Sequence, residues 1–390
     1  MSAPDTPLNE SKSRPEYLPP VAPPTATFLI QLFLIPLLIV SIILVMWLLF
    51  SWVAHMGRDN AAELVKAIVR DDATSWQRAY ELADLLRSPD PRYASLRQDS
   101  ELAQALAKFL ERDLKEPLAP MTSMAVGGGR STYSGSQAPP GSDRRAQIIR
   151  RMYLCRSLGS FSVQDGLPVL LKAATQEQDP VEVQVRFSAI ESISTLADNC
   201  GSKTFEDNDE VMSVLLAASR EPDDTGPPPS PPKDDEPTLY RPHAELRAVA
   251  AYGLGVIGGE QATARLVQML HDTYPNARYN AATGLARQGN GECMAVLREM
   301  LDPENQLAVK DEANPNEQQR KRTTVLLNGI KAIVLLANSN PDLDFTRLEA
   351  ALDDLISSPL ESVLVERSKV KSAAKEARGI IQSTVKRAKS

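Results

Sequence analysis

Histidine and cysteine, the side chains that most often do chemistry or hold metals, occur only three times each in 390 residues. His55, His243 and His271 stand apart, and none is followed by glutamate. Cys155, Cys200 and Cys293 show no Cys-x-x-Cys spacing, and an odd, sparse count fits reduced core thiols better than a disulfide framework. The chain has no Gly-x-Ser-x-Gly, no His-Glu-x-x-His and no Gly-Lys-Ser/Thr after a glycine-rich loop. These absences point away from an enzyme, so no catalytic residue, metal or cofactor is expected. Aromatics make up only 5%, which leaves Leu, Ala, Val and Ile to build the core. A net charge of −7 argues against a general nucleic-acid binder, which needs a basic face to release counterions.

What is present begins with two contrasting stretches. Residues 1–26 are polar and proline-rich, ending in Pro19-Pro20-Val21-Ala22-Pro23-Pro24, and bury too little apolar surface to fold alone. Residues 27–54 then carry no formal charge and are dominated by Leu, Ile, Phe, Val and Trp. As a helix they would reach about 42 Å, more than the roughly 30 Å of a hydrocarbon core. The expectation is a single uncleaved transmembrane helix, with Trp47 and Trp52 at an interface and the bilayer as a partner. Lys12 and Arg14 on one side face Arg58, Lys66 and Arg70 on the other, a balance that favours a cytoplasmic C-terminal body.

Beyond the anchor, apolar residues recur at helical spacing. Residues 55–116 read as a helical N-terminal cap region, with helices to about Arg70, from Asp72 to Arg87 and from Ser95 to Lys115. Residues 117–141 form a Gly/Ser/Pro linker, and helical repeats follow over 142–302. An acidic, proline-rich insertion at 221–237 interrupts them and reads as solvated and disordered. Residues 303–390 hold further helices, from Gln318 to Asn338, from Asp344 to Ile356, and from Leu360 to about Lys389. The last is basic and amphipathic, which reads as a C-terminal cap or as a contact with anionic lipid.

The clearest internal signal is a repeat of 31 residues. That shift lays Arg247 on Arg278, Ala250 on Ala281, Leu254 on Leu285, Gly258 on Gly289 and Leu266 on Leu297. Arg151 and Arg186 take the place of Arg247 in two earlier units. A fixed period over paired helices marks a stacked solenoid, so the fold class expected is all-α.

The runs Arg247…Ala250-Ala251-Tyr252-Gly253-Leu254…Gly258 and Asp272…Arg278…Ala281-Ala282-Thr283-Gly284-Leu285…Gly289 resemble the short HEAT-like repeat of phycobilisome-lyase type. The resemblance implies hairpins that pack closely at alanine and glycine, with Leu254, Ile257 and Leu266 in the seam. It also implies an Asp272–Arg278 pair tying one repeat to the next. Deoxyhypusine hydroxylase, a relative of such repeats, holds two irons on His-Glu pairs that this chain lacks. The reading that results is a membrane-tethered scaffold that binds an unidentified protein on its solenoid surface. A lyase-like or chaperone-like factor acting on a protein, or a structural subunit of a membrane complex, are the alternatives.

Overall fold

A computed structural model describes residues 26–56, 75–119, 143–177, 182–223, 242–312, 314–358 and 366–388. The expected helix ending near Arg70, residues 120–141 of the linker and 224–237 of the acidic insertion lie outside the described residues. Every regular element among those described is helical. The chain divides into two compact units, one ending at Asn60 and the other beginning at Ala61.

The first unit holds α1, Ala26–Met56, a 31-residue helix that runs through Pro36. Leu34 and residues 36–50 are exposed, including Leu37, Ile43, Trp47 and Phe50. Among the described residues no helix is long and apolar enough to cross a membrane.

The second unit is a two-layer array of helical hairpins. One layer, A, consists of α2 (Ser75–Arg87), α5 (Asp143–Gly159), α7 (Val183–Cys200), α10 (Pro242–Ile257), α12 (Pro275–Arg287), α14 (Pro315–Ser339) and α16 (Arg367–Ala388). Each packs on the next in that order. The other layer, B, consists of α4 (Ser100–Lys115), α6 (Leu167–Thr175), α9 (Asp209–Ala218), α11 (Glu260–Met269), α13 (Met294–Met300) and α15 (Thr346–Ser357). Short helices α3 (Ala94–Arg97) and α8 (Lys203–Glu206) sit in the turns. One apolar core runs between the layers from Ala79 to Ile381.

Local sequence explains where the helices start and stop. Side chains of Asp99, Asn208 and Asn314 accept from Leu102 N, Val211 N and Glu317 N, so each caps its helix. Asp99 also corrects the expectation of one helix from Ser95, because its cap starts a new helix at Ser100. Pro275 and Pro315 occupy first-turn positions, where a missing N–H costs nothing. Gly258 and Gly289, one period apart, end α10 and α12 with φ of 80° and 74°. Only glycine takes that backbone shape without strain.

Small residues set the spacing of the A layer. A Cβ on Gly255 would lie 2.5 Å from the Gly284 Cα, so α10 and α12 touch backbone to backbone. A Cβ on Gly253 would meet Ser194 Oγ of α7 at 2.6 Å. One glycine thus faces the preceding A helix and the other the following one. Gly159 makes the same close approach to Ser192.

The first hairpin, α2 with α4, stacks on α5 and α6 in the register of the later repeats. The basic helix α16 buries Val370, Ala374, Ala377 and Ile381 against the array. Its Arg378 sits 2.9 Å from Asp353 of α15, so cationic α16 faces acids of the last hairpin. Its apolar stripe is occupied within the fold.

Candidate functional site

Four arginines expected at equivalent positions do equivalent work. Arg247 donates to the Glu221 and Pro222 carbonyls at 3.2 and 3.0 Å, beyond the preceding B helix. It also forks onto Asp272, at 2.9 Å to each oxygen, beyond its own B helix. Arg278 donates to the Asp272 carbonyl at 2.8 Å and to Glu299 of α13 at 2.6 Å. Arg186 bonds the Ala174 carbonyl and Glu177 behind it, and Glu221 ahead. Arg151 bonds the Asp113 and Glu116 carbonyls behind and Glu182 ahead. Each guanidinium thus staples the C-terminal end of one B helix to the edge of the next. Carbonyls at a helix C-terminus carry partial negative charge, which suits a cation.

The staples correct two expectations. The carboxylate of Asp272 belongs to Arg247 and not to Arg278, which takes only its carbonyl oxygen. Residues 221–223 are part of the ordered array and not of a disordered insertion. Glu221 meets Arg186 at 2.5 Å and His243 Nδ1 at 3.1 Å, while Asp223 accepts from Arg247 and Thr273. Burial pushes the Glu221 carboxyl up, but Arg186 and His243 more than offset it and leave it below the usual range. Burial likewise works against the charge on Arg247, and Asp272 and Asp223 overcome it.

The most deeply buried staple lies at the N-terminal end. Arg150 forks onto Asp113 at 2.9 and 3.1 Å and reaches Ser75 Oγ at 3.0 Å. Arg150, Arg151, Asp113 and Glu182 are all buried. The other repeat positions singled out by the sequence, Ala250, Leu254, Ala281 and Leu285, are fully buried core. They hold the array together and offer nothing to a ligand.

One accessible surface among the described residues is a groove on the A layer across α7, α10, α12 and α14, with a volume of about 370 Å³. Phe187 and Glu191 come from α7, Glu245, Val249 and Tyr252 from α10. Asn276, Asn280 and Thr283 come from α12, and Lys321, Thr324 and Asn328 from α14. Positions three or four apart on each helix share its outer face, so each helix contributes one short stripe. Asn280 donates to the Ala248 carbonyl at 2.8 Å, which orients its amide. Tyr252 is 38% exposed; partial burial raises its phenol above 10.0, with Arg287, Asp198 and Glu191 nearby.

All three charged groove residues are already engaged. Glu191 lies 3.5 Å from Arg156, Lys321 lies 3.7 Å from Glu312, and Glu245 accepts from the Tyr274 hydroxyl. Outside α1, the exposed large aromatics among the described residues are Tyr80 and Tyr252, both on the A layer. Tyr80 packs edge-on against Tyr153 at 5.1 Å, and Arg156 lies over the Tyr153 ring, extending the lining toward α2. Sequence reasoning gave these residues no binding role, because Val249 and Tyr252 stand one period from Asn280 and Thr283, equivalent places at which the residue type changes.

Among the described residues no group of three or more His, Cys, Asp or Glu side chains could hold a metal ion. Cys155 and Cys293 are buried, and burial pushes both thiols up to about 12. Cys200, half-buried at the end of α7, is raised for the same reason. None is a ready nucleophile, since the thiolate is the reactive form.

A family model of HEAT repeats matches residues 237–314, about one fifth of the chain. The match covers α10 to α13, the hairpins in which the 31-residue period is clearest. The chain therefore carries HEAT-like repeats within an all-helical array. No characterised protein matches the chain.

Proposed function

We propose that this protein is a membrane-tethered HEAT-repeat scaffold that holds another protein in its A-layer groove and does no chemistry of its own. HEAT repeats commonly mediate protein–protein contacts, which is compatible with that role. The observation that carries the reading is the groove, where exposed Tyr252 and half-buried Phe187 lie beside amides whose charged neighbours are already paired. Tyrosine at the centre of a patch is a common anchor of protein interfaces.

The tether is argued from the uncharged stretch 27–54 and the outward apolar side chains of α1. Such a helix exposes a large apolar surface that water does not tolerate, and lipid would cover it. Tethering would raise the local concentration of whatever the groove holds. The charge balance around the stretch favours a cytoplasmic side for the array, and protease treatment of sealed cells would then spare the C-terminus.

Capture with the full chain from detergent-solubilised membranes tests the reading. Wild type recovers one stoichiometric protein partner, the Tyr252→Ala/Asn328→Ala double variant loses it, and Gln261→Ala on layer B keeps it. Equal recovery by all three, or a chromophore bound to the purified protein, would overturn it.

A further inference from the structure

The arginine staples stop one unit short of the C-terminal end. A shift of 45 residues lays Gly284 and Leu285 of α12 on Gly329 and Ile330 of α14, and it lays Arg278 on Thr323. The groove keeps the same register, with Asn276 and Thr283 answering to Lys321 and Asn328. Thr323 is buried, and its hydroxyl donates to the Gln319 carbonyl of its own helix at 2.9 Å. Among the described residues no hydrogen bond or ion pair joins α13 to α15. Each staple links carbonyls just past one B helix to a carboxylate near the end of the next. At the corresponding two places here a cleft of about 480 Å³ stands open. Leu301, Asp302 and Pro303 at the end of α13 line one wall, and Asp354, Leu355 and Ser358 at the end of α15 line the other.

The A layer loosens at the same junction. Gly159 meets Ser192, Gly253 meets Ser194 and Gly284 meets Gly255, and a Cβ on each first glycine would fall within 2.7 Å of the neighbouring A helix. The next pair in that register is Ala286 with Gly329. The atoms nearest a Cβ on Gly329 belong to Met300 and Leu301, at the end of α13, and not to α12. The far edge stays tied, where Ser339 Oγ donates to the Arg287 carbonyl at 3.2 Å and Asn340 to the Gly289 carbonyl at 3.0 Å. Helix α16 packs on both α14 and α15, so the three form one body. In a solenoid, stability is a sum over neighbouring interfaces, and the interface with the fewest ties opens first. We infer that the array hinges between α13 and α15. The body α14–α16 swings about the tied edge at Gly289 and Asn340, and the unstapled edge opens. Lys321 and Asn328 travel with α14 while Asn276 and Thr283 stay with α12, so the swing sets the width of the groove.

Double electron–electron resonance on the full chain in detergent tests this, with spin labels carried by unnatural amino acids at exposed positions. One pair, at Ala264 of α11 and Ala350 of α15, spans the open seam. The other, at Ala105 of α4 and Ser213 of α9, spans only the seams stapled by Arg151 and Arg186. The distance distribution of the first pair should be about twofold wider than that of the second. Thr323→Arg supplies the missing guanidinium and should narrow the first distribution to the width of the second. Arg186→Met removes a staple and should widen the second. Circular dichroism shows whether each variant keeps its helices; if Thr323→Arg does not fold, the wild-type comparison and Arg186→Met decide. Equal widths in the wild type, a folded Thr323→Arg as broad as the wild type, or a second pair indifferent to Arg186→Met would overturn the inference. No arm involves a partner, so the scaffold reading stands or falls separately.

Discussion

Asp113 is the residue on which the N-terminal end of the array turns. It is 1% exposed and neutralises Arg150 and, at 3.4 Å, Arg151, which is 0% exposed. Asp113→Ala would take the carboxylate from buried Arg150 and leave Arg151 with Glu182 alone, and breaking such a buried pair costs about 3–5 kcal/mol. Urea unfolding should show that loss, whereas Asp353→Ala on the exposed α15–α16 pair should cost under about 1 kcal/mol. Similar losses for the two would contradict the staple account. The thiols give a second residue-scale prediction. Cys200 should react with a thiol reagent at neutral pH well before the fully buried Cys155. Burial raises the folded pKa of Cys155 and Cys293 from 9.0 to about 12, so the folded state keeps protons that the unfolded state releases between those values. Burial raises Tyr274 and Tyr279 as well, with Glu245 and Glu299 adding to it. Stability should therefore be steady up to about pH 9 and fall beyond it, which melting temperatures across pH 7–11 would check.

At the scale of the element, the Gly255–Gly284 contact decides how closely α10 and α12 pack. Gly255→Ala would place a methyl 2.5 Å from backbone that has no room to yield. Overpacking of this kind costs typically 1–3 kcal/mol, and Leu254→Asp, which buries an unpaired charge, should unfold the hairpin outright. An unchanged melting temperature in either variant would refute the packing described. The 31-residue period makes Gly253 and Gly284 legible as equivalents, yet it says nothing of direction. Gly255 escapes notice because its own equivalent, 31 residues on, is Ala286. The Asp272–Arg278 pairing fails for a related reason. The nearer arginine in sequence approaches the loop from the backbone side, while Arg247, 25 residues upstream, reaches its carboxylate. Solenoid neighbours are set by the hairpin, not by closeness along the chain.

Across the whole molecule, the repeat class is readable from one well-kept pair of hairpins, and the functional surface is not. The regular positions Ala250, Leu254, Ala281 and Leu285 are spent on the core. The groove draws on outward repeat positions at which the residue differs in kind from unit to unit: Glu191, Tyr252 and Thr283 are equivalents, as are Val249 and Asn280. Periodicity finds what repeats, and binding rests on what does not. The hairpin α2–α4, which carries no repeat consensus, joins the array because Arg150 and Arg151 reach Asp113, a contact between residues nearly forty apart in sequence. The most direct measurement is photo-crosslinking in cells, with a photoreactive side chain placed in turn at Asn328 in the groove and at Gln261 on layer B. The account predicts one discrete crosslinked protein from Asn328 and none from Gln261. Equal crosslinking from both positions, or crosslinking from Gln261 alone, would contradict it.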